Sequence, residues 1–456
     1  MPADSCISDT GRGSWGCGVS KKFRRRLDRS LFVRFTNKMT AAGAQRRLPP
    51  TATRSTGAAT RGPGFADHTT QGFASGRALR PSAKVLPEHA RNHNRSLVLQ
   101  TLYRAGQQSR ADIARSTGLT RVTISDLVGE FIAEGLIIET GQREDARPGK
   151  PATLLDINRS AFQIVGIDLS DYALFRGAVL DLDGTILERR EVALEGATGD
   201  EATAKVVDLV GQLIALATSP LLGVGVGSPG IVDHSGTVLS APNLGWSAVP
   251  LQAELAQHFS VPVVVGNDAN AAVLAEHSFG GADRDMMLVT VGHGLGAGLL
   301  LGGNPLYGSR FAAGEIGHVV VGTDGGLPCV CGKTGCLETW LAAPRLDAAL
   351  AAATEAALAS GMPASAAQEA VLTEAGRHLG IALAFVVGAL NLAEIVLSGP
   401  THLLDGPLAA ATIETLRNRT MAEFHGDLTL RMTTLGEDIV VRGAAVMVLS
   451  GQLGVS

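Results

Sequence analysis

From Arg121 to Glu134 the apolar residues Val122, Ile124, Leu127, Val128, Phe131 and Ile132 recur at the spacing that lines a helix face. Two shorter runs precede it. Asn94–Tyr103 carries Leu97, Val98 and Leu102. Ala111–Thr117 is opened by Gln108-Ser109-Arg110, with Ser109 placed as N-cap. Gly118 makes the turn and Thr120 caps the third helix. The pattern predicts a helix-turn-helix whose third helix enters a DNA groove; a plain three-helix packing module is the competing reading. Leu136–Glu139 and Ala152–Leu155 then read as two strands of a wing, with Arg147-Pro148-Gly149-Lys150-Pro151 at its tip. The residues placed towards DNA are Ser109, Arg110, Thr120, Arg121, Thr123, Ser125, Arg147 and Lys150. They have the side chains that reach phosphates or base edges.

Beyond residue 160 the pattern changes to short apolar runs separated by helical stretches. Ile164–Leu169 is a strand that carries Asp168 near its end, and Ala178–Gly184 is its hairpin partner, with a turn at Asp183-Gly184. Leu222–Asp233 is a strand feeding a glycine loop. Val261–Gly266 is another, ending at Asn267-Asp268-Ala269-Asn270. Met287–Leu301 forms two strands around Gly292-His293-Gly294-Leu295-Gly296. The alternation predicts an α/β doubly wound sheet with mixed edges.

At 456 residues the chain has room for about three domains. Charge divides it. Residues 1–90 hold 16 Lys and Arg against 5 Asp and Glu, and the remainder reverses the balance, 23 against 38. A basic head on an acidic body points to nucleic acid or a membrane surface at the front only. Residues 1–90 have little apolar periodicity and read as disordered. Lys21-Lys22-Phe23-Arg24-Arg25-Arg26 is suited to phosphates, but a solvated tail or a start codon assigned too early is the favoured explanation; a transit peptide is compositionally allowed. No uncharged apolar run reaches the roughly 18 residues of a membrane span, and the most apolar stretch, Gly380–Ala393, is closed by Glu394. Five cysteines in a chain this long suggest no disulfide framework and hence a reducing cytoplasm.

Three of those cysteines lie together, as Cys329-x-Cys331-x4-Cys336, with His318 upstream. Three thiolates and an imidazole make a tetrahedral zinc site with no position left for water, which is structural rather than catalytic. Free buried cysteines are the competing reading.

Glu315-Ile316-Gly317-His318 followed by Cys-x-Cys-Gly-x-x-Gly-Cys-Leu-Glu resembles the signature of the ROK family (repressors, open reading frames, sugar kinases). Ten residues separate His318 from Cys329, one more than the family pattern, and Gly325-Gly326 can absorb it. The wing Arg147–Pro151 also resembles that of the ROK repressors; sugar kinases of the family lack this module. The resemblance implies three segments. Residues 1–90 are the basic head, 91–157 a winged helix-turn-helix, and 160–456 a two-lobed actin-like, ribonuclease H-like sugar-kinase fold with a zinc loop over 318–336. It further implies a sugar site of Gly230, Asn243, Asn267, Asp268, Glu315, His318 and Glu338. Asp268 stands where kinases keep their general base, and zinc is held by His318, Cys329, Cys331 and Cys336.

The phosphate-binding parts depart from that pattern. Where a ROK kinase has a Gly-Gly-Thr type turn, this chain has Ser170-Asp171-Tyr172-Ala173. Where it has Gly-Thr-Gly, this chain has Gly292-His293-Gly294, and the adenosine-side motif reads Ile395-Val396-Leu397-Ser398-Gly399-Pro400. The expectation is a sugar-responsive transcriptional repressor without phosphoryl transfer. It is a homodimer or homotetramer on double-stranded operator DNA, with no membrane contact. An ATP-dependent sugar kinase with an accessory DNA module is the alternative, and a repressor sensed through a partner protein near the zinc loop a third.

Overall fold

The computed structural model describes residues 87–143, 151–282, 285–321, 326–422, 426 and 428–455. The basic head up to residue 86 and the wing tip with Arg147 and Lys150 lie outside the described residues.

The winged module comprises α1 (Pro87–Ala105), β1 (Gln108–Ser109), α2 (Arg110–Thr117), α3 (Arg121–Ala133), β2 (Ile137–Gln142) and β3 (Thr153–Ile157). The helix α1 starts before residue 91, inside the stretch read as disordered. Both caps form as expected. Ser109 accepts the Asp112 amide while Asp112 reaches back to the Ser109 amide, a capping box. Thr120 accepts the Thr123 amide. The wing is three-stranded, because the two-residue β1 pairs with β3 on the side away from β2. That strand is too short to leave a period in the sequence. Ile113, Ile124, Leu127, Val128 and Phe131 are buried. Truncating Phe131 to alanine is expected to cost about 3–5 kcal/mol.

The rest of the chain is two lobes, each built on a five-stranded sheet. The first contains β4 (Gln163–Asp168), β5 (Leu174–Leu180), β6 (Ile186–Ala193), β7 (Leu221–Ser228) and β11 (Val263–Asn267), in the order β11-β7-β4-β5-β6. A small antiparallel sheet of β8 (Ile231–Val232), β9 (Val238–Ala241) and β10 (Trp246–Val249) stands beside it. The second lobe contains β12 (Met286–Val291), β13 (Leu295–Leu301), β14 (Asn304–Pro305), β15 (Glu394–Ser398) and β16 (Thr429–Met432), in the order β14-β13-β12-β15-β16. The two orders are the same. In each lobe the first three strands run antiparallel and the last two pair in parallel. The β4–β5 turn is therefore the topological counterpart of the β12–β13 turn. The Asp183-Gly184 turn joins β5 to β6, one strand later than the sequence pattern placed it.

Two helices lie between the sheets, α6 (Asp268–Phe279) and, near the C-terminus, α12 (Ile439–Leu453). They pack on each other closely enough that a Cβ on Gly443 would sit 1.9 Å from the Ala271 carbonyl oxygen. The long helix α9 (Ala364–Leu390) is long and apolar enough to cross a membrane by composition. Leu372, Leu379, Leu383 and Val387 place its inner face in the second-lobe core.

The winged module does not end at a seam. Its core residues Val98, Leu102 and Leu155 belong to one cluster with Phe162, Leu182, Val441 and Leu449 of the first lobe. Tyr103 donates to the Leu182 carbonyl at 2.7 Å, and Arg104 meets His277 of α6 at 3.3 Å.

Candidate functional site

The strand β11 delivers Asn267 and Asp268 to the start of α6. Asn267 is the N-cap: its Oδ1 accepts the Asn270 amide at 2.9 Å. Its Nδ2 donates to the Gly230 carbonyl at 2.9 Å and to Asp268 Oδ1 at 2.8 Å. The Ala269 amide also donates to Asp268 Oδ1 at 2.7 Å. Oδ2 has no hydrogen-bond partner among the described residues. Gly230 sits at φ +80°, and a Cβ there would lie 2.0 Å from the Ser240 carbonyl oxygen, so glycine is required on both counts. That approach brings β9 and the single turn Pro242–Leu244 alongside. On that turn the Asn243 Nδ2 is buried with no partner among the described residues.

From the second lobe come Glu315 and His318, flanking and ending the single turn Ile316–His318, and Glu338, which opens the short helix α7 (Glu338–Leu341). Glu338 Oε2 accepts the Leu295 amide at 3.2 Å. The carboxylates sense one another. Burial, then Asp168 and Glu315, push the Asp268 carboxyl up to about 7. Burial raises Glu315, with Glu338 adding to the rise and His318 opposing it. Asp168, buried at the end of β4, is also raised by burial. Burial disfavours the charged form in each case, and a neighbouring anion adds to it. An Asp268 carboxyl held near 7 can both donate and accept hydrogen bonds at neutral pH.

The four metal-ligand candidates converge. The ligand atoms of His318, Cys329, Cys331 and Cys336 all lie within 4.8 Å of one another. Cys331 and Cys336 sulfurs are 3.5 Å apart, and Cys329 sulfur is 3.5 Å from His318 Nδ1. Ligands about 2.3 Å from a tetrahedral ion stand about 3.8 Å from each other, so the donor set and spacing fit a metal. Cys329 sulfur also lies 4.0 Å from Glu338 Oε1, so the cluster and the carboxylates are contiguous.

On the winged module, Arg121 and Ser125 are exposed on α3, Thr120 caps it, and the Thr120 and Thr123 hydroxyls are 2.9 Å apart. Two sequence expectations are corrected. Ser109 is 3% exposed and its hydroxyl bonds Asp112 at 2.7 Å, so it caps α2 from the inside and presents no side chain to a duplex. Val122, counted with the apolar face, is 70% exposed beside Arg121. At about 100° per residue Val122 falls on the face opposite Ile124, Leu127, Val128 and Phe131, so the helical period itself places it outside the buried stripe. Arg110 is paired with Glu139 at 3.1 Å.

Comparison with known proteins places these features. Over 397 residues the chain is 30% identical to the xylose repressor of Caldicellulosiruptor bescii, spanning 79% of this chain and 96% of that one. It is 31% identical over 311 residues to a glucokinase of Halalkalibacterium halodurans, 62% of this chain and 94% of that one. A crystal structure of a ROK family transcriptional regulator, a homologue of the Escherichia coli Mlc protein, superposes with a TM-score of 0.70. It is 26% identical and covers 80% of this chain and 98% of its own. Residues 164–450 match the ROK family, and this chain belongs to it, in the class of its transcriptional repressors.

Proposed function

We propose that the protein is a sugar-responsive transcriptional repressor. The winged module, residues 91–157, grips double-stranded operator DNA. The domain over 160–456 holds a sugar or sugar derivative between its lobes. The observation that carries the proposal is the joining of the two: a helix-turn-helix shares its hydrophobic core with the first lobe, whose Asn267 and Asp268 converge with Glu315 and Glu338 of the second.

Vicinal hydroxyls need directional donors and acceptors, and each buried polar group left unmatched is penalised. Asp268 Oδ2, Glu315, Glu338 and the Asn243 amide offer these, with Gly230 as a wall. His318 serves twice, with one ring nitrogen for the metal and the other for the sugar. A zinc ion held by His318, Cys329, Cys331 and Cys336 would supply order to the 318–336 loop and no chemistry of its own. Thr120, Arg121, Thr123 and Ser125 supply the duplex contacts, joined by Arg110 and, at the wing tip, Arg147 and Lys150.

A route for coupling is present in α6. Its first residue is Asp268, and near its far end His277 meets Arg104 of α1. A sugar that shifts α6 has a differential effect on the module's position, which is what linkage requires. The working form is a homodimer or homotetramer in the cytoplasm.

A kinase is the second reading. It is favoured by Asp268, whose carboxyl near 7 suits a general base. Gel shifts of the chain on fragments of its own promoter region, with a sugar panel, test the first reading. Retarded duplex whose affinity changes with one sugar is expected. Magnesium-dependent ATP turnover on that sugar, without preference for any fragment, is the result that overturns it.

A further inference from the structure

The two counterpart turns of the lobes meet. The turn between β4 and β5 carries Tyr172, and the turn between β12 and β13 carries His293. Their rings stack, with centroids 4.6 Å apart and planes inclined by 16°. The Tyr172 turn is set independently of that contact. Asp171 Oδ1 accepts the Ala173 amide at 2.7 Å, and Oδ2 pairs with Arg176 at 3.0 Å. The phenol faces the same gap as Glu338. A Cβ on Gly294 would lie 3.0 Å from Glu338 Oε2 and 4.0 Å from the Tyr172 hydroxyl. Burial, then Glu338 and Asp268, raise the phenol above its usual range, so both carboxylates lie near it. The side chain is 47% exposed.

We infer that Tyr172 is a specificity-determining residue of the sugar site: its hydroxyl contacts the ligand at the Asp268 end, and its ring, held by His293, closes that end to a phosphoryl group. The inference rests on the sugar-cleft reading above and names the class of sugar, an unphosphorylated one. A phosphoryl dianion at this end meets Asp268 and Glu338, and the nearby Arg176 is already paired with Asp171. A neutral sugar presents hydroxyls that satisfy the carboxylates and the phenol together.

Calorimetric titration of the full chain with D-xylose, D-glucose, other common aldoses and D-glucose 6-phosphate tests it, on wild type, Tyr172→Phe, Tyr172→Ala and His293→Ala. Wild type is expected to take a free sugar and reject the 6-phosphate by about a hundredfold or more. Tyr172→Phe, which keeps the stack, loses about tenfold in affinity for the free sugar, the usual effect of one missing hydrogen bond. Tyr172→Ala loses more, and His293→Ala less, with thermal midpoints showing that each variant folds. Free-sugar affinity unchanged in both Tyr172 variants overturns the inference and leaves the sugar cleft standing. Equal binding of glucose and its 6-phosphate by wild type does the same. A wild type that retards operator fragments but binds no sugar overturns the cleft reading and this inference with it.

Discussion

Where α6 begins, at Asp268, hydrogen-bonding capacity is left open; in the β4–β5 turn most of it is taken up within the chain, and the Tyr172 phenol is what remains towards the gap shared with Glu338. Asp268 has one carboxylate oxygen without a partner among the described residues, and Asn243 a buried amide in the same condition. The groups that set the β4–β5 turn are engaged. Both oxygens of Asp171 are taken, and the Tyr172 and His293 rings cover one another. Both positions belong to the first-lobe sheet, Asp268 just after β11 and Tyr172 between β4 and β5. The sheet therefore did not decide which groups are left open to a ligand. The difference lies in whether a turn's hydrogen-bonding capacity is left open for a ligand or closed within the chain. An aromatic stack adds roughly 0.5–1.5 kcal/mol to a closed turn, while an unmatched buried amide costs about 1–3 kcal/mol until a ligand meets it.

The largest break in that comparison is expected from Asp268→Ala. Sugar affinity should fall by about a hundredfold or more, the effect of removing a charged hydrogen-bonding group, with operator binding kept. An unaltered sugar titration would remove Asp268 from the site. Next is the metal cluster. A strong chelator, or Cys336→Ser, should lower the thermal midpoint by several degrees and weaken sugar binding about tenfold, because Glu338 lies against Cys329. Metal analysis of the purified chain checks the same point directly.

Arg121→Ala separates the cleft from the duplex. Operator affinity should drop about tenfold, in line with one lost phosphate or base contact of 1–3 kcal/mol, with the sugar isotherm unchanged. Equal gel-shift affinity would contradict the α3 assignment.

A smaller effect is expected from pH. The Asp268 carboxyl titrates near 7 in the fold, against about 3.9 in an unfolded chain. The protonated form is thus favoured by folding. Its contribution to stability is complete below about 4 and is lost as pH rises through about 7. Sugar hydroxyls donate to the ionised form, so affinity runs the opposite way, rising several-fold from pH 6 to 8. Asp268→Asn should flatten both profiles. The smallest effect is expected from magnesium and a non-hydrolysable ATP analogue, which should leave the thermal midpoint within about a degree of its starting value. A clear shift would mean that the Tyr172–His293 stack admits a phosphoryl group.

Much of this was legible in the chain itself. Caps, helical periods and the Cys329-x-Cys331-x4-Cys336 spacing are short-range signals, set within a few residues, and the structure reproduces the α2 and α3 caps and brings the four metal-ligand candidates together. The strand ending at Asn267-Asp268 was readable from its apolar run, and the role of the pair only from the family resemblance. What the tertiary structure alone decided is of longer range. Burial of Ser109, with its hydroxyl against Asp112, took it out of reach of a duplex, which cap chemistry alone did not reveal. The winged module merged with the first lobe through Tyr103 and Leu182, where the sequence suggested a boundary. Tyr172 and His293 lie in different lobes, and nothing in either neighbourhood announces the other. Their contact follows only once two similar sheets set equivalent turns face to face. Local chemistry writes itself into spacing, whereas a contact between distant turns depends on how whole layers pack.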